Sequence, residues 1–114
     1  PALPGHPGHD LWKRDMRGAS GLFSIILDGY GVAEAKRFVD GLELFGIGAS
    51  WGGYESLILL TDPAGARSAT RWAPSGPTLR IHAGLEHSDD LIADLEAGFA
   101  RLAEIDRGQS ARAG

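Results

Sequence analysis

From residue 46 to 53 the chain reads Gly-Ile-Gly-Ala-Ser-Trp-Gly-Gly, so four glycines bracket a serine and a tryptophan between two apolar runs. Glycine at that density opens the backbone to conformations closed to other residues and lets it approach a ligand closely. The same density also marks a plain turn or bulge, and both readings stand on composition alone. A second stretch, Leu79-Arg80-Ile81-His82-Ala83-Gly84-Leu85-Glu86, alternates like a strand and carries an arginine within it. A guanidinium there is costly unless it stays solvated or pairs with an anion. An exposed-amide loop beside a fixed arginine suits a carboxylate, which makes the two stretches candidate walls of one site.

The rest of the chain builds a frame for them. Residues 1–9 hold three prolines and two glycines and predict an extended or turning arm rather than helix. His6 and His9 within it have metal-like spacing but lack a third ligand nearby and any cysteine, so no metal site is expected. Asp10 can cap a short helix from Leu11 to about Met16 that turns Trp12 inward. Leu22–Leu27, rich in aromatic and β-branched residues and bounded by glycines, predicts a buried strand. Val32, Ala35, Phe38, Val39 and Leu42 recur at helical spacing, opposite Glu34, Lys36, Arg37 and Asp40, and predict an amphipathic helix over a sheet.

Leu44–Ile47 reads as a short strand entering the glycine loop and Ser56–Thr61 as a nearly continuous apolar strand leaving it. Asp62–Pro77 has no sustained period and predicts a long surface connection, anchored by Trp72. Thr78–Ala83 is a strand with Leu79 and Ile81 on one face and Arg80 and His82 on the other. Ser88 is a good N-cap, Asp89 and Asp90 suit a helix N-terminus, and Leu91, Ile92, Leu95, Phe99 and Leu102 form a core stripe. Residues 107–114 are polar and rich in Gly and Ala, and predict a frayed tail. The order points to an α+β domain over 1–106: a small, mixed, mostly antiparallel four-stranded sheet with helices on one face.

At 114 residues, no second domain fits. A 43% apolar and 23% charged composition is that of a globular protein, and no apolar run nears the roughly 20 residues that cross a bilayer. The net charge of −4, with scattered arginines, gives no footprint for nucleic acid or anionic lipid. The chain has no cysteine, which excludes disulfides and a thiol nucleophile. With no visible signal peptide, a cytoplasmic location is expected. The chain opens at Pro1 without an initiator methionine, as a piece of a longer protein would.

Taken together, Pro4–His9 with Leu11-Trp12-Lys13-Arg14-Asp15, Ser20–Ser24, Phe45–Gly48, Ser50-Trp51-Gly52-Gly53-Tyr54-Glu55-Ser56-Leu57 and Leu79–Glu86 resemble a known family over nearly the whole chain. It is the Cys/Met-metabolism enzymes that use pyridoxal phosphate, and the likeness is to the C-terminal domain of their bacterial cystathionine β-lyase branch. The resemblance implies a parent that cleaves L-cystathionine by β-elimination to homocysteine, pyruvate and ammonia in methionine biosynthesis, as a homotetramer. It implies further that a large preceding domain supplies the Schiff-base lysine and the cofactor cradle. Only Lys13 and Lys36 occur here, one in a charged helix and one on a solvent face, so neither is the desolvated lysine such chemistry needs. This stretch alone is expected to be inactive.

By the same resemblance Arg80 matches the arginine that binds the substrate α-carboxylate, Ser50 the loop position whose backbone assists, and Trp51 an aromatic wall beside substrate and cofactor. Relatives acting at the γ-carbon carry glutamate before the serine and leucine after it, whereas this chain has Ala49 and Trp51, which favours a β-lyase. Tyr54, Glu55 and His82 read as packing and loop-bonding residues. Two other classes stay open: a stand-alone amino-acid-binding module using the same loop and arginine, and a purely structural α+β domain.

Overall fold

The structure, a computed structural model, describes residues 1–113. Its centre is a four-stranded sheet of β1 (Leu22–Ile26), β2 (Gly46–Ile47), β3 (Leu57–Thr61) and β4 (Thr78–His82), in the order β1-β4-β3-β2. β4 pairs antiparallel with β1 and with β3, and β2 adds to β3 in parallel at the edge. The register settles which side chains share a face. Ile81 lies across from Phe23 and Ile58, and Leu79 across from Ile25 and Leu60. Arg80, between Ser24 and Leu59, and His82, between Leu22 and Leu57, occupy the opposite face, because successive strand side chains alternate.

Helices α2 (Val32–Asp40) and α3 (Ser88–Ala113) cover the Leu79–Ile81 face. Ala35, Phe38 and Val39 of α2 meet Ile58, Leu79, Ile81, Leu91 and Leu102 in one buried cluster, closed by Leu27 and Phe45. Glu34 starts α2 by accepting the Gly31 N–H at 3.1 Å, which satisfies a donor that the helix leaves free. Val32 is exposed, so the buried side of α2 begins at Ala35. The two helices approach closely at Gly98, where a Cβ would stand 2.6 Å from Phe38 Cε2.

The helical stripe of α3 differs from the expected one. Ile92 and Phe99 are 52% and 43% exposed, while Asp94 and Gly98 are on the buried side with Leu91 and Leu102. Asp94 accounts for the shift. Its carboxylate accepts the N–H of Glu43 at 2.9 Å and of Leu44 at 2.8 Å, and that of Phe45 more distantly at 3.4 Å. Phe99 still packs on Phe38 in a tilted pair, with ring centroids 4.9 Å apart and planes at 41°. The same bonds shorten the strand expected over Leu44–Ile47 to Gly46–Ile47, since the amides before it are committed to Asp94.

Two boundaries also move. Helix α1 (His9–Asp15) begins two residues earlier than expected, because the Gly8 carbonyl accepts the Trp12 N–H at 3.0 Å; Asp10 is in the first turn rather than at the cap. Trp12 is half-buried and donates its indole N–H to the Gly18 carbonyl at 3.3 Å. At the other end α3 runs to Ala113, so the tail expected to fray from 107 has helical backbone as far as the described residues extend, with Gly114 outside them. A helix already nucleated gains one bond for each residue added, which offsets a polar composition. The connection after β3 holds one short 3₁₀ turn, Ala64–Ala66, and Trp72 is half-buried in it beneath the Arg67 guanidinium, 5.0 Å from its ring centroid. No helix among the described residues is long and apolar enough to cross a membrane.

Candidate functional site

The glycine loop and the turn after β4 are bolted together at Ser56, which immediately precedes β3 and is 1% exposed. Ser56 Oγ donates to Glu86 Oε2 at 2.6 Å and accepts the Gly84 N–H at 2.8 Å, while the Ser56 N–H donates to Glu86 Oε1 at 3.2 Å. Leu85 N–H adds a bond to the Tyr54 carbonyl at 2.9 Å. Only glycine fits at 84, since a Cβ there would stand 2.2 Å from the Tyr54 oxygen. The Glu86 carboxyl is held below its ordinary value of 4.5, first by the Ser56 hydroxyl, then by backbone N–H groups and by His82 nearby.

His82 makes the next tie. It is 9% exposed, with Nε2 placed 3.2 Å from the Gly52 nitrogen and 3.1 Å from the Gly53 carbonyl oxygen. Whichever tautomer is present, Nε2 either accepts from Gly52 or donates to Gly53, so the ring holds the loop in both cases. Among the four loop glycines, Gly52 alone takes a positive φ, +83°. Gly46 and Gly48 serve instead to admit the Leu57 side chain, whose Cδ2 would lie 3.3 Å from a Cβ at either position.

Arg80 stands half-buried on the same face as His82, and its Nη2 donates to the Ala49 carbonyl. That contact aims the guanidinium at the loop just before Ser50. The bond uses one of five N–H donors, and the rest of the fork has no partner among the described residues. Ser50 and Trp51 are exposed and line a small pocket of about 170 Å³ with Gly53, Tyr54, Glu55 and Leu57. Arg80 does not line that pocket; its partner Ala49 is the residue before Ser50, which does. Tyr54 and Glu55 are exposed, and their backbone, rather than their side chains, carries the contact to the 84–86 turn.

The arrangement can hold an anion in one orientation, through a planar fork of donors beside an exposed glycine loop. Lys13 and Lys36, the two lysines of the sequence, are both exposed and belong to α1 and α2. No cluster of three or more metal-ligating side chains occurs among the described residues. His6 Nδ1 accepts the Gly8 N–H at 2.9 Å, and His9 Nδ1 lies 2.8 Å from the Pro1 carbonyl oxygen.

Residues 1–100 match the profile of the Cys/Met metabolism PLP-dependent enzymes. The chain belongs to this family. It is 51% identical over 106 residues to a cystathionine beta-lyase of Escherichia coli K12, with 90% of this chain and 27% of that protein covered. It is 52% identical over 104 residues to an L-alanine/L-glutamate racemase of Wolbachia pipientis wMel, covering 90% of this chain and 26% of that protein. Among solved structures, the cystathionine gamma synthase of Xanthomonas oryzae pv. oryzae in complex with cystathionine superposes with a TM-score of 0.72 at 37% identity, over 90% of this chain and 28% of that one. The chain thus spans about a quarter of the length of the family members it matches.

Sequence reasoning singled out Arg80, Ser50 and Trp51 but missed the roles of Ser56, Glu86 and Asp94. A carboxylate at helical spacing between Leu91 and Leu95 was the available signal for Asp94, since a charge on a buried stripe needs a partner. Ser56 and Glu86 are thirty residues apart and carry no such local mark.

Proposed function

We propose that this chain supplies the substrate α-carboxylate clamp of a pyridoxal-phosphate-dependent carbon-sulfur β-lyase that cleaves L-cystathionine. The observation that carries the reading is Arg80: it rises from the open face of the sheet, rests on the Ala49 carbonyl, and keeps most of its fork unpaired among the described residues. A substrate carboxylate fits that vacancy in the pairing, with the backbone at Ser50 as a second contact and Trp51 as an apolar wall. Bound pyridoxal phosphate supplies the electron sink for chemistry at Cα in this class of enzyme. The residues of this chain do the orienting: fixing the carboxylate fixes which bond at Cα faces the base on another domain.

Ala49 and Trp51 around Ser50 support the β-lyase over γ-carbon chemistry, and the identity to a β-lyase of E. coli supports it independently. The racemase relative is a reminder that one clamp serves several reactions, because alanine and glutamate present the same α-carboxylate as cystathionine. The cytoplasmic, homotetrameric enzyme of methionine biosynthesis is part of this proposal.

The test is Arg80→Ala in the PLP-loaded full-length protein that contains this sequence, assayed for pyruvate release from cystathionine and for alanine racemisation. Losing the charge-assisted pair should lower kcat/KM on the order of a hundredfold, about 3 kcal/mol. Turnover near that of the unaltered protein would refute the clamp, and racemisation without pyruvate release would refute the β-lyase.

A further inference from the structure

We infer that Glu86 is a positioning residue, acting through Ser56 to hold the Ala49–Tyr54 loop at a set distance from Arg80. The inference rests on the clamp proposed above and adds what keeps its two halves aligned. Arg80 belongs to β4, in the middle of the sheet, whereas Ser50 and Trp51 belong to a glycine loop with almost no side-chain packing of its own. A flexible loop gives up conformational entropy each time it closes on a ligand, unless something has already ordered it.

The ordering device is visible in the hydrogen bonds. Both Glu86 oxygens are taken by Ser56, one by its hydroxyl at 2.6 Å and one by its N–H at 3.2 Å. The Ser56 oxygen in turn takes the Gly84 N–H at 2.8 Å, so the end of the loop and the end of β4 share one bonded group. The hydroxyl has one proton to give and two lone pairs to accept with, and the carboxylate accepts only, so the donors run one way: Gly84 to Ser56 to Glu86. His82 continues the tie two residues from Arg80 by holding, through Nε2, either Gly52 or Gly53 according to its tautomer. Arg80 completes the circuit by donating to Ala49. Every bond in this circuit links the loop to residues 80–86, none links it to α2 or α3, and so its purpose is local alignment rather than cohesion of the core.

A purely structural tie of similar chemistry exists elsewhere and serves as the control. Asp94 also grips successive loop amides, at 43–45, but on the helix-covered side of the molecule. If Glu86 only stabilises the fold, Glu86→Gln and Asp94→Asn should behave alike, each lowering the melting temperature with little change in substrate binding.

The measurement uses the PLP-loaded full-length protein, with melting temperature, kcat and KM for cystathionine, and the inhibition constant of glycine as a minimal α-carboxylate ligand. Glu86→Gln and Ser56→Ala should each raise KM and the glycine inhibition constant by at least about fivefold, the loss of one hydrogen bond's worth of alignment, with kcat within about twofold. Asp94→Asn should leave both constants unchanged. The double variant Arg80→Ala with Glu86→Gln should bind glycine no worse than Arg80→Ala alone, since without the guanidinium there is nothing left to align.

Unchanged glycine inhibition in both Glu86→Gln and Ser56→Ala overturns the inference, as does an additive double variant. The two readings fail separately. If Arg80→Ala weakens glycine and Glu86→Gln does not, the clamp stands and the positioning role falls; if Arg80→Ala binds glycine normally, the clamp itself is refuted and this role with it.

Discussion

Removing the Asp94 carboxylate should cost the protein about 3 kcal/mol of stability. Asp94 is 9% exposed and makes two well-formed bonds, to the N–H groups of Glu43 at 2.9 Å and Leu44 at 2.8 Å, besides a long one to Phe45 at 3.4 Å. Hydrogen bonds to a charged acceptor contribute about 1.5–3 kcal/mol each, and an unmet buried donor costs about 1–3 kcal/mol. Glu43 and Leu44 are exposed, so water can reach their amides in an Asp94→Ala variant and recover part of the loss. Phe45 is buried and its amide cannot be rehydrated so readily, but its bond is the weakest of the three. Two bonds at the low end of the range, with no further charge for Phe45, give about 3 kcal/mol. At this chain length that corresponds to a fall in Tm of roughly 10 °C. Urea unfolding followed by circular dichroism measures it directly, and the m-value should stay constant because the folded core is the same. A loss below about 0.5 kcal/mol would show that the carboxylate is not what holds the 43–45 turn.

Gly98→Ala should destabilise by about 1–2 kcal/mol, since overpacking a fixed core outweighs the roughly 1 kcal/mol of helix propensity gained; the new Cβ would meet Phe38, which is only 1% exposed and has no room to retreat. A Tm equal to or above that of the unaltered protein would refute it. Leu102→Ala, which empties a fully buried position of α3 in the core cluster, should cost about 2–5 kcal/mol by chemical denaturation. The lock at Glu86 should respond to acid and not to neutral pH. Its folded-state value lies below 4.5, so its stabilisation is present above pH 4.5 and lost as pH falls through the lower folded value; amide exchange at Ser56 and Gly84 should quicken only in that range, with Ser56 and His82 the polar and ionisable neighbours. Quickening of those amides between pH 8 and 6 would mean that another group controls the loop.

Much of the fold was legible in local pattern. The alternation Leu79, Arg80, Ile81, His82 predicts which side chains share a face, and the pairing of Ile81 with Phe23 and Ile58 realises it. The spacing of Ala35, Phe38 and Val39 likewise predicts the buried side of α2. Period alone misled at Ile92 and Phe99, because a helical repeat counts apolar residues and cannot register that Asp94 has backbone donors waiting half a chain away. The candidate site divides in the same manner. The motifs around Ser50 and Arg80 name the groups, and a resemblance spanning the chain identifies the family that the profile match and the relatives establish.

What the sequence by itself determined, then, is the main strands and helices, the faces of α2 and β4 and the chemical character of the loop and its arginine, all of which follow from residue type and short-range period. Tertiary structure alone decided the contacts between distant residues: Asp94 with 43–45, Ser56 with Glu86 and Gly84, His82 with Gly52 and Gly53, and Arg80 with Ala49. Hydrogen bonds of this kind depend on where two backbones arrive in space. Their arrival is set by the packing of the whole sheet against α2 and α3, which no window of neighbouring residues contains.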